Sequence, residues 1–275
     1  MAKHYVTDAE MTAVADAIRA KAGTEDKMSF PEGFVEKITN LPSGGGDDGT
    51  LKAIIERTAT EITLPSDLTT IGEYAFRGCT NLSSLSLPNG LKTLGNSAFM
   101  GCTNLKFVDL PESLTRIGMN AFYKCAKLAL TNLPTGLIEI DKYGFQDCTA
   151  LAIKSLPEGI TTIGEYAFEG CSNIEITSLP EALTNLGQYA FQDCSKIPSM
   201  IIPAGVLKIN MWTFNKCSNM REVTFKGTPT LIQSNSFYNC TNLLTINVPW
   251  AEGEVANAPW GATKATINYN YTGEA

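Results

Sequence analysis

The stretch Leu64-Pro65-Ser66-Asp67-Leu68-Thr69-Thr70-Ile71-Gly72-Glu73-Tyr74-Ala75-Phe76-Arg77-Gly78-Cys79-Thr80-Asn81-Leu82-Ser83-Ser84-Leu85-Ser86-Leu87-Pro88 decides the fold, because it returns seven more times. Its cysteine recurs at Cys102, Cys125, Cys148, Cys171, Cys194, Cys217 and Cys240, always 23 residues on. A phenylalanine keeps the same step three residues earlier, from Phe76 through Phe145 to Phe237. Leu-Pro or its equivalent closes the unit at Pro65, Pro88, Pro111, Pro134, Pro157, Pro180, Pro203 and Pro249. Self-similarity at this period predicts a solenoid, in which each repeat buries its apolar side only against its neighbours.

Within the unit, Leu82-x-x-Leu85-x-Leu87 reads as a strand whose alternate side chains enter a core. The prolines fall where that strand no longer needs an N–H for its ladder. Glu73-Tyr74-Ala75-Phe76 reads as one short helical turn ending at Gly78. The column Gly78, Gly101, Lys124, Asp147, Gly170, Asp193, Lys216, Asn239 holds mostly Gly, Asn and Asp, the types that tolerate a left-handed stop. Leu130, Ile153 and Ile176 stand one place earlier than Leu85 or Val108 in their repeats. Since a one-residue displacement inverts facing on a strand, a bulge or local shift is expected there. The unit resembles the BspA-type leucine-rich repeat, with Leu-Pro, Ile-Gly, Ala-Phe and Cys in fixed register over about residues 51–249. The resemblance implies an α/β repeat: a right-handed, curved leucine-rich-repeat solenoid with a parallel sheet on the concave side and helical turns opposite. It also implies a protein of the surface-exposed or host-contacting kind that binds other macromolecules.

Composition excludes several roles. With 44% apolar and 18% charged residues the chain is an ordinary folded protein. A net charge of −7 and the lack of a basic stretch argue against nucleic acid and against anionic membranes. No apolar run approaches the ~18 residues of a membrane span. The start, Met1-Ala2-Lys3-His4-Tyr5, has no apolar region of a secretory signal, so the expectation is synthesis in the cytoplasm with release or virion association afterwards. Eight cysteines in one stacked column have parallel Cβ vectors, which suit disulfides poorly, so buried thiols are expected.

The ends read differently from the middle. Residues 1–41 suggest a helical module: Thr7-Asp8-Ala9-Glu10 fits a capping box, and Met11, Val14, Ala15 and Ile18 make one face. Residues 42–50, with Gly44-Gly45-Gly46-Asp47-Asp48-Gly49, read as a flexible linker. The solenoid follows over 51–249 as a half-repeat and eight repeats, and 250–275 form a C-terminal cap with Trp250, Trp260 and the alternating Thr266-Ile267-Asn268-Tyr269. The leader, Tyr5-Val6-Thr7-Asp8 through Phe30-Pro31-Glu32-Gly33-Phe34, resembles segments that open phage and prophage tail-associated proteins. That likeness implies docking to a larger assembly.

No catalytic constellation is visible. The one histidine is His4, so the repeats offer no imidazole for a Ser-His or Cys-His pair. No C-x-x-C pair suggests a metal, and Gly44-Gly45-Gly46 lacks the Lys-Ser/Thr of a phosphate loop. No cofactor, metal or membrane insertion is expected. Two surface columns remain as candidate ligand-binding sites. One is the small polar ribbon Ser86, Asp109, Asn132, Ser155, Ser178, Thr224 and Asn247, interrupted by Ile201. The other precedes the Ala-Phe pair: Tyr74, then Tyr143, Tyr166, Tyr189 and Trp212 on four consecutive repeats, amphipathic aromatics that recur at interfaces and can stack on sugars. The reading is a noncatalytic binding module on a phage or prophage tail, facing a bacterial surface protein or glycan. A surface adhesin and an intracellular scaffold are the alternatives.

Overall fold

A computed structural model describes residues 62, 64 and 66–273. They form a parallel β-solenoid of about 9 turns. The strands are short: β1 (Thr70–Ile71), β2 (Ser84–Ser86), β3 (Thr93–Leu94), β4 (Phe107–Asp109), β5 (Arg116–Ile117), β6 (Glu139–Ile140) and β7 (Thr162–Ile163). They continue as β8 (Asn185–Leu186), β9 (Ser199–Ile202), β10 (Lys208–Ile209), β11 (Glu222–Phe225), β12 (Leu231–Ile232), β13 (Thr245–Asn247) and β14 (Thr266–Asn268). One sheet, in the order β1-β3-β5-β6-β7-β8, comes from the Thr-Ile segment before the glycine and is followed by the pair β10-β12. A second face carries β2-β4 and, further on, β14-β13-β11-β9. Every pairing is parallel, and partners such as Ile71 and Leu94 or Val223 and Ile246 stand 23 residues apart. Beside the strand read from the sequence, a further strand at the Thr-Ile segment forms on a separate face, and the rungs of β5, β6 and β7 carry only this one.

The helical turns expected opposite the sheet are absent: no helix occurs among the described residues. Glu73 to Gly78 is instead a run of turns with left-handed backbone at both Tyr74 (φ 60°) and Gly78 (φ 70°). The reason lies between rungs rather than within one. The N–H groups of Tyr74, Phe76 and Gly78 donate to the carbonyls of Asn96, Ala98 and Met100 at 2.7–2.9 Å. The intervening Arg77 and Cys79 N–H groups close back on the Tyr74 and Phe76 carbonyls at 3.0 and 3.1 Å. A helical turn would spend its N–H groups inside its own rung, whereas buried backbone donors of a stacked rung find stronger registration on the next one. The pattern repeats, for example from Tyr143, Phe145 and Asp147 to Glu165, Ala167 and Glu169. The helical module expected over residues 1–41 and the linker over 42–50 lie outside the described residues.

Two interior columns follow from that registration. Phe76 to Phe237 stack ring on ring at centroid distances of 5.1–5.6 Å, all fully buried. The eight cysteines are buried thiols rather than disulfides. From Cys102 onward each thiol donates to the carbonyl of the phenylalanine 26 residues earlier, at 2.9–3.2 Å. The thiol therefore fills space like a small hydrophobe and ties adjacent rungs together. Burial pushes the Cys125 thiol up to about 12 and raises Cys102, Cys148, Cys171, Cys194 and Cys217 as well. Thiolate chemistry is thereby suppressed.

On the second face the ladder breaks where the sequence shifts. Between β4 and β9 no strand forms, and one isolated bridge joins Ser178 to Ile201. Ile153 and Ile176 nevertheless point inward and are fully buried, while Thr131, Lys154 and Thr177 are exposed. Each of these rungs therefore shows two successive outward residues, as a bulge does. At the far end β14 pairs with β13. Trp250 and Trp260 are buried 6.3 Å apart beside Phe225, and the Trp260 indole N–H donates to the Ala256 carbonyl at 2.7 Å.

The left-handed slots generate a paired prediction. Gly170 (φ 72°) would place a Cβ 2.9 Å from the Asp147 carboxylate, so Gly170→Ala is expected to lower the unfolding free energy by about 1–2 kcal/mol. Lys124 occupies an equivalent slot at φ 62°, where Lys124→Gly relieves strain that its backbone entropy offsets, leaving stability unchanged or raised by up to ~1 kcal/mol. Urea unfolding of both variants checks this; equal destabilisation by the two would contradict it.

Candidate functional site

The polar ribbon is not one continuous surface. Ser86 and Asp109 lie exposed on β2 and β4, Asn132, Ser155 and Ser178 lie exposed on the strandless rungs, and Ile201 follows as an exposed apolar residue. Thr224 is half-buried. Asn247 is only 2% exposed, because its amide bonds Glu222 at 2.6 Å and Thr224 at 3.1 Å and its oxygen accepts from Asn268 at 2.8 Å. Asn247 is thus a structural link between rungs, not an accessible ribbon residue.

The aromatic column is brought together. Tyr143 and Tyr166 stack at 5.0 Å, Tyr166 and Tyr189 at 4.4 Å, and Tyr189 and Trp212 at 6.3 Å, all within 13° of parallel. All four are half-buried with left-handed backbone. Tyr74 stands apart from them with the Arg77 guanidinium over its ring at 5.6 Å. The stacking changes what the column can offer. Ring faces between rungs lie against each other, so a sugar cannot lie on them; the row presents ring edges and hydroxyls instead. Burial, with help from the neighbouring Tyr189 and Tyr143 hydroxyls, pushes the Tyr166 phenol up to about 12, so it remains a hydrogen-bond donor at neutral pH.

Two features of this face escaped sequence reasoning. The first is a ladder three residues beyond the aromatic column. Gln146 and Gln192 both donate their side-chain amides to the Glu169 carboxylate, the latter at 2.6 Å, and Asn215 donates to Gln192 at 2.7 Å. A column comparison shows it, since three amides and the Glu169 carboxylate occupy the same four rungs as the aromatics. The second is Tyr238, which meets Trp212 edge-on at 5.3 Å and ends the row. Burial, outweighing the two amide bonds, raises the Glu169 carboxyl above its ordinary range.

The chain matches the BspA type leucine rich repeat region in six copies, over residues 55–154 and 138–257. It belongs to that family. Among solved structures it is similar to the T. pallidum leucine-rich-repeat protein TpLRR at 27% identity and TM-score 0.48, covering 67% of this chain and 78% of that one. A leucine-rich-repeat protein from Bacteroides ovatus matches at 22% identity and TM-score 0.48, covering 74% and 64%. The pneumococcal vaccine antigen PcpA matches at 15% identity and TM-score 0.36, covering 76% and 79%. A search of curated proteins found no match. Among the described residues, no helix is long and apolar enough to cross a membrane, and no group of His, Cys, Asp and Glu could hold a metal ion.

The raised Glu169 carboxyl has a defined sign. Below the ordinary carboxylate range both folded and unfolded chains hold this proton. As pH rises, the unfolded chain ionises first, so stability falls until Glu169 has ionised in the folded chain too. Glu169→Gln would extend the ladder as amides and remove this contribution. The difference between wild-type and variant unfolding free energies, followed from acid to neutral pH, is expected to shift in favour of the variant. A constant difference would contradict the assignment.

Proposed function

We propose that this chain is a noncatalytic recognition module that binds a protein or a glycan at a cell surface. The observation that carries the reading is the four-rung face of Tyr143, Tyr166, Tyr189 and Trp212 beside the Gln146–Glu169–Gln192–Asn215 ladder. A solenoid needs repetition for its interior, but its outward columns are free to vary. Here both outward columns depart from the repeat in the same four rungs, and both supply directional polar groups with large contact area. Family membership supports the reading, because the resemblance implies contact with other macromolecules. The exposed Ser86, Asp109, Asn132, Ser155 and Ser178 add a second, shallower hydrogen-bonding surface. Display on a phage or prophage tail is supported by the resemblance of the leader, together with the linker reading of residues 42–50.

Capture of bacterial cell-envelope proteins and glycans by the full chain tests this. Replacing Tyr143, Tyr166, Tyr189 and Trp212 by Asn, which already stands in the left-handed slot at Asn120, is expected to reduce capture at least tenfold while the unfolding transition remains cooperative. Undiminished capture by the folded variant would remove this face from the proposal.

A further inference from the structure

Beside the aromatic face lies a polar trough of about 310 Å³, near the lower end for small-molecule sites, and it crosses four rungs. Its long sides are Glu139, Thr162 and Asn185, on β6, β7 and β8, and Lys142, Glu165 and Gln188. Gly164 and Gly187 lie between them, and Asp141 and Asn210, which replace glycine in that column, stand at its ends. Successive rungs approach closely here: a Cβ at Gly164 would meet the Lys142 backbone nitrogen at 2.5 Å, and one at Gly187 would overlap the Glu165 backbone nitrogen.

The charged groups of the trough are already engaged. Arg116 binds Glu139 at 3.1 Å and Asp141 at 2.6 Å, and Lys142 binds Glu165 at 3.1 Å. The Asn210 amide is fixed on the Leu186 carbonyl at 2.7 Å. The Thr162, Asn185 and Gln188 side chains bond no other protein group among the described residues. These are neutral groups that both donate and accept. Thr162 and Asn185 are in-register partners, so they are about 4.8 Å apart by strand spacing, a separation that 1,3-related equatorial hydroxyls of a pyranose also present.

We infer that this trough is a subsite for a neutral saccharide, with Thr162, Asn185 and Gln188 as its hydroxyl-binding groups; the inference rests on the recognition-module reading. The three carboxylates Glu139, Asp141 and Glu165 outnumber the two cations paired with them, so no cation is left for an anionic ligand. The lining gives an apolar ligand little to bury against, whereas a polyol can satisfy each uncommitted donor and acceptor. The tyrosine stack begins at the next residue of each rung, at Tyr143, Tyr166 and Tyr189.

The test is a printed array of neutral and acidic oligosaccharides, probed with the full chain and with the triple variant Thr162→Val, Asn185→Ala, Gln188→Ala. The chain is expected to bind neutral oligosaccharides, and the variant to lose at least tenfold in signal with an unchanged unfolding midpoint. Thr177→Ala, at an exposed position on the second face, should bind like wild type. Equal binding by the triple variant would overturn the subsite while leaving the recognition reading intact. Binding confined to acidic sugars, or no array binding while envelope proteins are still captured, would overturn the saccharide class alone. Failure with both array and envelope extract would remove the recognition reading and this inference together.

Discussion

The structure depends on backbone hydrogen bonds that leave one rung and end on the next. At the six turn segments that begin at Tyr74, Ser97, Asn120, Tyr143, Tyr166 and Tyr189, N–H groups of a left-handed residue, the core phenylalanine and a second left-handed residue reach carbonyls 22 positions ahead. This ladder fixes the repeat length more strictly than side-chain packing would. A rung one residue longer or shorter would lose three buried donors at once, each costing about 1–3 kcal/mol if left unpaired. It also explains why a side chain as large as Tyr sits in left-handed backbone at Tyr74, Tyr143, Tyr166 and Tyr189. The local strain is offset by the inter-rung bonds that this geometry permits, and it recurs because the bonds recur.

From that registration comes a sharp division of labour. Residues that stack inward, Phe76 to Phe237 and Cys79 to Cys240, are held in repeating surroundings and have little freedom to vary. The outward columns carry no such demand. They change along the chain, from Ser97 and Asn120 to the run of tyrosines, and from Met100 and Tyr123 to the amides that flank Glu169. Recognition is therefore assigned where the repeat is obeyed inside and abandoned outside. The middle of the solenoid meets both conditions.

Much of the interior was legible because an exact period needs no tertiary knowledge. The phenylalanine and cysteine columns, the left-handed slot at Gly78, and the disturbance at Leu130, Ile153 and Ile176 all follow from residue type and spacing. The helical turn was misread because Glu73-Tyr74-Ala75-Phe76 has adequate helix propensity, and propensity yields to tertiary hydrogen bonding. Nothing in a tyrosine or tryptophan announces positive φ, so the slot at Tyr74 was invisible. The second strand at Thr70–Ile71 was too short to show alternation. At the surface, the aromatic row was found because it lies in one column. The Glu169 ladder does not show in the aromatic column alone, and the trough draws on three columns over four rungs with two broken glycine positions. Asn247 looked like its neighbours in the ribbon but is buried by bonds to Glu222, Thr224 and Asn268, which no single-column reading can show.

The central claim is that like residues stack in register around a closed interior. The most direct measurement is a count of cysteines that react with a small thiol reagent, before and after denaturation under non-reducing conditions. The account predicts that the native protein is essentially unreactive at neutral pH, because burial suppresses the thiolate, and that all eight thiols react once the chain is unfolded. Several fast-reacting thiols in the native state, or fewer than eight after unfolding because some are cross-linked, would contradict it.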